Sequence, residues 1–307
     1  ITANGGMVFQ PNADGIPIYL ANAGAGFSLS AAELTTRLSS TGTITVGRSS
    51  GTGTITIGGS GSINAAGEGY NFTLRGTSSP AVFNFTAGNT FTLPNDRTFT
   101  ITSGGAITSP GAATADITIG GIGTVTIGAA TTIGTMVSPL NVSVSQIGGI
   151  VANGNIYVSD TDGFTITGAV TNNAAIPVLS FNGGTGTITT SGSGTITSGS
   201  AGGGTLTITA DDMAIGTILT ANGGITLQPN TISRPIALND PAAGSLNLTA
   251  SELQNLSSTG TVIIGQTTGS GTITIGGSGA TNLSATTYNL TIEGLTSSVA
   301  IAATTLT

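Results

Sequence analysis

Carboxylates are the side chains in this sequence best suited to chemistry, and they form two close pairs. Asp160 and Asp162 lie in the stretch Ser-Asp-Thr-Asp-Gly, and Asp211 is followed directly by Asp212. Two neighbouring carboxylates can act as the acid and the base in glycoside hydrolysis. The Asp-x-Asp-Gly spacing at Asp160 and Asp162 also matches the start of a calcium-binding loop, although the ligands that should follow it are missing.

The residue types that are absent limit that chemistry. The chain has no His, no Cys and no Lys, and its five basic residues are Arg37, Arg48, Arg75, Arg97 and Arg234. A Ser-His-Asp or Cys-His nucleophile and the usual zinc sites cannot be built. The Asp211-Asp212 doublet resembles that of pectin-degrading β-helix hydrolases, but those enzymes also carry histidine and lysine motifs. We therefore predict a protein that is not an enzyme, without catalytic residues or cofactors. Its aspartates are predicted to form turns, and a calcium site at Asp160 and Asp162 is the weaker alternative.

Charge excludes two classes of partner. Charged residues make up only 6% of the chain, and the net charge is −7. Nucleic acids and anionic lipid surfaces both attract clusters of basic residues, which this chain lacks. No apolar run is long enough to span a bilayer. Since the sequence starts at Ile1 without a signal peptide, we interpret it as a mature or excised segment of a larger protein.

The chain contains a long internal repeat, and the paired carboxylates lie between its two matching copies. The opening stretch ITANGGMVFQPN returns as LTANGGITLQPN from Leu219, at an offset of 218 residues. Residues 1–76 match 219–294, residues 77–218 are intervening coils, and 295–307 are interpreted as the start of the next copy. A tandem array of such units is the expected source of this pattern.

Short strand-like segments recur inside the repeat. Examples are TITVG from Thr43, TITIG from Thr54 and TVTIG from Thr124, separated by Gly, Asn, Asp and Ser. Alternation places Ile and Val on one face of a strand and Thr on the other. The sequence predicts an all-β fold, an elongated, right-handed parallel β-helix that runs as one continuous solenoid over 1–307. An antiparallel sandwich or barrel is the alternative. A flat, ice-binding face of Thr pairs is disfavoured by the uneven spacing.

Helical turns are expected near 30–38 and 249–256. Ser30 with Glu33, and Thr249 with Glu252, have the spacing of a capping box. We interpret these turns as corners between strands. The aromatic residues crowd into one stretch, where an inward stack is expected and an exposed strip for sugars or partners is the alternative; they are Tyr70, Phe72, Phe83, Phe85, Phe91 and Phe99.

The segments FSLSAAELTTRLSSTGTITVG, from Phe27, and LNLTASELQNLSSTGTVIIG, from Leu246, identify a resemblance. They resemble filamentous-haemagglutinin-like exoproteins and autotransporter-type β-helix adhesins of Gram-negative bacteria. The resemblance covers residues 1–76 and 219–294. It implies a right-handed parallel β-helix, export across the outer membrane, and a place on the bacterial cell surface or outside the cell.

Three functions remain at the level of sequence. The first is a structural fibre or stalk, a rigid spacer whose partner is another copy of itself through end-to-end or tandem stacking. The second is an adhesin whose lateral surface binds glycans or receptors. The third is an enzyme that acts on polysaccharides, which the missing His and Lys disfavour. An uncapped sheet edge would provide the stacking surface for the first function.

Overall fold

The computed structural model describes residues 1–78, 81–111, 113–199, 203–240, 244–277, 283–284, 286–294, 296 and 298–301. The chain divides into two compact units, Ile1–Asp160 and Thr161–Thr307. β-Strands are the main regular structure of both units, and each unit has one short helix among its described residues. No helix in the described part of the chain is long and apolar enough to cross a membrane.

Within its described residues, the first unit contains fourteen strands and one short helix. In chain order they are β1 (Met7–Phe9), β2 (Ile18–Leu20), β3 (Phe27–Leu29), α1 (Ala31–Thr36), β4 (Thr43–Val46), β5 (Ile55–Ile57), β6 (Ile63–Asn64), β7 (Asn71–Gly76), β8 (Phe83–Phe85), β9 (Phe91–Leu93), β10 (Thr98–Ser103), β11 (Ile107–Thr108), β12 (Ile117–Ala130), β13 (Leu140–Ala152) and β14 (Ile156–Ser159).

Strands of successive coils in the first unit pair in parallel, and the register shifts locally between β12 and β13. Three columns of facing residues run through the stack: Met7, Ile44, Phe72, Phe99 and Val125; Ile18, Ile55, Phe83, Ile107 and Ile133; and Ile63, Phe91, Ile117 and Val142. Except for Met7 these side chains are buried. The core is therefore a set of apolar ladders along the direction of stacking, as the alternating pattern requires.

The second unit follows the same plan. Its elements are β15 (Gly163–Ile166), β16 (Val170–Asn172), β17 (Val178–Asn182), β18 (Thr187–Thr190), β19 (Ile196–Ser198), β20 (Thr205–Thr209), β21 (Asp212–Ile215), β22 (Leu219–Ala221), β23 (Gly224–Gln228), β24 (Ile236–Leu238), β25 (Leu246–Leu248), α2 (Ala250–Gln254), β26 (Leu256–Ser257), β27 (Thr261–Gln266), β28 (Ile273–Ile275), β29 (Asn289–Gly294) and β30 (Val299–Ile301). One column, in parallel register, contains Leu179, Leu206, Ile225, Val262 and Leu290.

The structure confirms the prediction of an all-β fold of the parallel β-helix type. Parallel pairing within both units excludes an antiparallel sandwich or barrel, because those folds join neighbouring strands in opposite directions. The right-handed winding and the single continuous solenoid over 1–307 stay predictions.

Both helices lie where helical turns were expected, and both are short. Helix α1 covers Ala31–Thr36 inside the predicted 30–38, and α2 covers Ala250–Gln254 inside 249–256. Each follows a strand that pairs with the strand before it, β3 with β2 and β25 with β24. The helix thus forms a corner that returns the chain to the next coil.

The two copies of the repeat fold alike in detail. Ala21 and Asn239, at equivalent positions, both have positive φ angles, +48° and +52°. Their backbone N–H groups donate to Leu29 O and Leu248 O, each at 2.8 Å. A non-glycine residue in this region is uncommon. The same unusual turn is therefore formed twice from different residues, which shows that the sequence repeat is a repeat of structure.

Candidate functional site

The two aspartates of the possible calcium loop have different surroundings. Asp160, the last residue of the first unit, is buried, and its Oδ2 accepts a hydrogen bond from Val144 N at 3.1 Å. Asp162, in the second unit, is exposed. In the described part of the chain, no three His, Cys, Asp or Glu side chains cluster as a metal ion would require. A calcium site at Asp160 and Asp162 stays a prediction.

The two carboxylates of the Asp211-Asp212 doublet accept hydrogen bonds from different parts of the chain. The buried carboxylate of Asp211 accepts hydrogen bonds from the Thr231 N–H and hydroxyl, both at 2.6 Å. Its backbone oxygen accepts from Arg234 Nε at 2.9 Å. Asp212 is half-buried, and its Oδ1 accepts from Met213 N at 2.9 Å. Asp211 thus ties one coil to the next, and this contact was not expected from the sequence.

Capping boxes begin both helices. The Ser30 hydroxyl accepts a hydrogen bond from Glu33 N at 3.2 Å, and Glu33 Oε2 accepts from Ser30 N at 2.8 Å. The bonds between Thr249 and Glu252 have the same lengths. These contacts satisfy N–H groups that a helix leaves unpaired at its start. Hydrogen bonds from the Ser30 backbone and hydroxyl lower the pKa of Glu33, so its carboxylate stays charged.

A buried tyrosine closes the other end of each helix. The Tyr70 hydroxyl donates to Leu34 O at 2.7 Å, and the Tyr288 hydroxyl donates to Leu253 O at 2.8 Å. Both tyrosines come from the coil that follows the helix. Since the last carbonyls of a helix lack partners within it, each tyrosine fixes a helical corner to the next layer of the stack.

Asp116 is an acid that sequence analysis did not single out. It is 1% exposed, and its Oδ2 accepts a hydrogen bond from Asn141 N at 3.0 Å. Burial raises its pKa to about 6, although hydrogen bonds from Ser109 and Asn141 act in the opposite direction. Asp116 stands directly before β12, where an aspartate resembles any other turn residue. The only signal in the sequence was the apolar strand that follows it.

The crowded aromatic residues point inward. Tyr70, Phe72, Phe83, Phe85, Phe91 and Phe99 are all buried. The ring centre of Phe72 lies 4.5 Å from that of Phe91 and 5.6 Å from that of Phe99. The prediction of an inward stack is confirmed, and these residues do not form an exposed binding strip.

Outward-facing threonines form a row along the stack, although their spacing in the sequence is uneven. Thr45, Thr73, Thr100 and Thr126 face one another in register on β4, β7, β10 and β12. Thr54 and Thr56 belong to another part of the coil, since Thr56 pairs with Tyr19 and Asn84. Thr side chains of this kind favour strands on a solvated face.

No family model, curated protein or solved structure matches this chain. The arrangement of the described residues supplies coil-to-coil connections: apolar ladders inside, a capped helix at one corner, and side chains such as Asp211 and Tyr70 that join adjacent layers. This chemistry stabilises a stack and orients its coils.

Proposed function

We propose that the chain is a structural component of a secreted bacterial surface fibre or stalk, in which tandem β-helical repeats act as a rigid spacer. One observation carries the proposal: within the described residues, both copies of the repeat form the same capped helical corner, the same tyrosine contact to it and the same strand pairing before it. A repeat that reproduces its structure can be added many times without a new interface, and the length of the stack then grows with the number of copies.

The density of contacts between coils supports a mechanical role. In the first unit, each inner strand pairs in parallel with strands of adjacent coils, and the side chains between them are apolar and close-packed. Dense packing of this kind has low compressibility. Ser40 Oγ donates to Ala3 O, and Ser258 Oγ donates to Ala221 O, both at 2.6 Å, which repeats one connection between layers in both copies.

Electron microscopy of the purified chain at low concentration tests the proposal. We expect straight particles of uniform width. Long filaments would indicate that separate chains stack end to end, whereas short single rods would indicate a stalk whose length is set by the number of covalent repeats. Flexible or irregular particles would contradict a rigid spacer.

A glycan array and a cell-binding assay with the same protein separate the spacer from an adhesin. A spacer should show no saturable binding. Saturable binding to a defined glycan or cell type would instead favour an adhesin whose lateral surface recognises that ligand.

A further inference from the structure

We propose that the first coil carries a docking surface for a β-coil with the sequence of residues 195–218, joined directly before Ile1. This surface, called the leading face, consists of Ile1–Ala3, β1, β3 and helix α1. The inference rests on the proposed function, because it names the surface through which one repeat stacks on another.

The leading face is apolar and open. Ile1 is 77% exposed and lies beside the bridge between Thr2 and Ser39, and Phe9 of β1 is half-buried. Beside them is a groove of about 540 Å³, lined in part by Phe9, Leu29 and Glu33. Proteins usually protect apolar sheet edges of this kind, because such edges pair with other strands.

The second copy shows the same face covered. Leu219 and Leu227, which correspond to Ile1 and Phe9, are both 0% exposed. Leu248 is 0% exposed, and its counterpart Leu29 is buried in the first copy too, at 8% exposure. The cover is the preceding coil: β19 pairs with β22, β20 pairs with β23, and β21 lies against β25. The structure therefore contains, in its second unit, an example of the occupant that fits the leading face.

Polar contacts in the second copy indicate how the occupant is held. Ile215 N donates to Glu252 Oε1, and Asn255 Nδ2 donates to Ile215 O, both at 2.8 Å. Ala210 N donates to Gln228 O at 3.0 Å. Glu33 corresponds to Glu252 and is exposed on the leading face. Its Oε2 serves the capping box, so its other carboxylate oxygen can accept an incoming N–H.

The first copy lacks two of the second copy's polar contacts, and one of these is the contact of Asn255, because Thr36 and Arg37 precede Leu38 where Asn255 precedes Leu256. Thr231 and Arg234, which bind Asp211 in the second copy, correspond to Ala13 and Ile16 in the first. We therefore expect docking at the leading face to depend on strand pairing, the apolar groove and Glu33. The side-chain contacts that Thr231 and Arg234 make with Asp211 have no equivalent there.

The test extends the complete chain by placing a copy of residues 195–218 before Ile1. Hydrogen exchange followed by mass spectrometry reports on the amides of Met7–Phe9. The extension should slow their exchange at least about tenfold, because β1, already paired with β4 on one edge, would be paired on its other edge as well and would then exchange only by opening. A matched control carries the same extension with Ser at the positions copied from Leu206, Ile208, Met213 and Ile215, and it should leave the exchange unchanged.

Three results from the extended chains would overturn the inference. They are an unchanged rate with the unaltered extension, equal slowing by both extensions, and loss of protection in β27, which would show that the extension disrupts the chain.

The chain without an extension provides a second experiment, in which the exchange is measured at low and high protein concentration. Slowing that grows with concentration would mean that a second molecule covers the leading face, which contradicts a covalently joined occupant. Protection of β1 is independent of particle shape in the microscope, so this inference and the proposed function can fail separately.

Discussion

At the scale of single residues, the protonation of Asp116 should make the free energy of unfolding depend on pH. Its pKa is about 6 in the folded protein, and its ordinary value is 3.8. Between these values the folded state holds more protons than the unfolded state. Linkage then requires the free energy of unfolding to fall as pH rises from about 4 to about 6, and to stay at the lower level above that.

We predict that Asp116→Asn removes this pH dependence. A pKa difference of this size corresponds to an effect on the order of 2–3 kcal/mol across the window. The measurement is urea unfolding at a series of pH values, with the curve of the variant subtracted from that of the original chain. The lowered pKa values of Asp14 and Glu33 act in the other direction, because their stabilisation is lost only as pH falls through those values. Their window extends downward from their ordinary pKa values of 3.8 and 4.5, so it overlaps that of Asp116 only at the acidic end.

Asp162→Asn is the matched control, since Asp162 is exposed. It should leave the slope between about pH 4 and pH 6 in place. A slope that survives Asp116→Asn would show that another group is responsible. The sequence could not single out Asp116, because the burial of an aspartate beside a strand depends on the coil that packs over it.

At the scale of elements, the helical corners show how one layer holds the next. Helix α1 has only six residues, and a helix this short is not stable alone. The capping box could be predicted from the sequence because its residues are three apart. The hydrogen bond from Tyr70 to Leu34 could not, because it joins residues 36 apart whose proximity depends on the length of the coil.

We predict that Tyr70→Phe destabilises the first unit by about 1–2 kcal/mol. The variant leaves the Leu34 carbonyl buried without its donor, and an unsatisfied buried group costs this much. Burial raises the pKa of Tyr70, so its hydroxyl remains a donor at neutral and moderately alkaline pH. Hydrogen exchange of the α1 amides measures the local effect, and urea unfolding measures the effect on the unit.

Tyr19→Phe is the control for Tyr70→Phe, since Tyr19 is half-buried on β2. Its effect should be within about 0.5 kcal/mol, as for most surface substitutions. Tyr288→Phe should reproduce the loss at α2, because Tyr288 makes the same contact with Leu253. If Tyr70→Phe were as harmless as Tyr19→Phe, packing of the ring alone would hold the corner.

The Thr rows show another limit of prediction for elements. Equal spacing along a sequence places residues on one face only when all coils have the same length. The register partner of Met7 is Ile44, and more residues separate these two than separate Ile44 from Phe72 or Phe72 from Phe99. The coil with α1 is therefore longer than those after it. The alternating pattern predicted which side chains point inward, whereas the rows along the stack required the coil lengths.

At the scale of the whole molecule, the repeat of 218 residues was visible in the sequence and is equally clear in the structure. Strands β4 and β27 occupy the same place in the two copies. Their inward residues are Ile44 with Val46, and Val262 with Ile264, all 0% exposed. The isoleucine and the valine have exchanged positions between the two strands, so each strand buries one isoleucine and one valine.

We predict that the double variant Ile44→Val with Val46→Ile costs less than about 1.5 kcal/mol, because it conserves volume and copies a core that the chain already uses. A matched control, Thr45→Val with Val46→Thr, also conserves composition but places a hydroxyl inside and an apolar group outside. Burial of the hydroxyl without a partner should make this control clearly less stable. Urea unfolding of both variants measures the difference. Equal losses would contradict the equivalence of the two copies, and with it the argument that repeats can be added to the stack without a new interface.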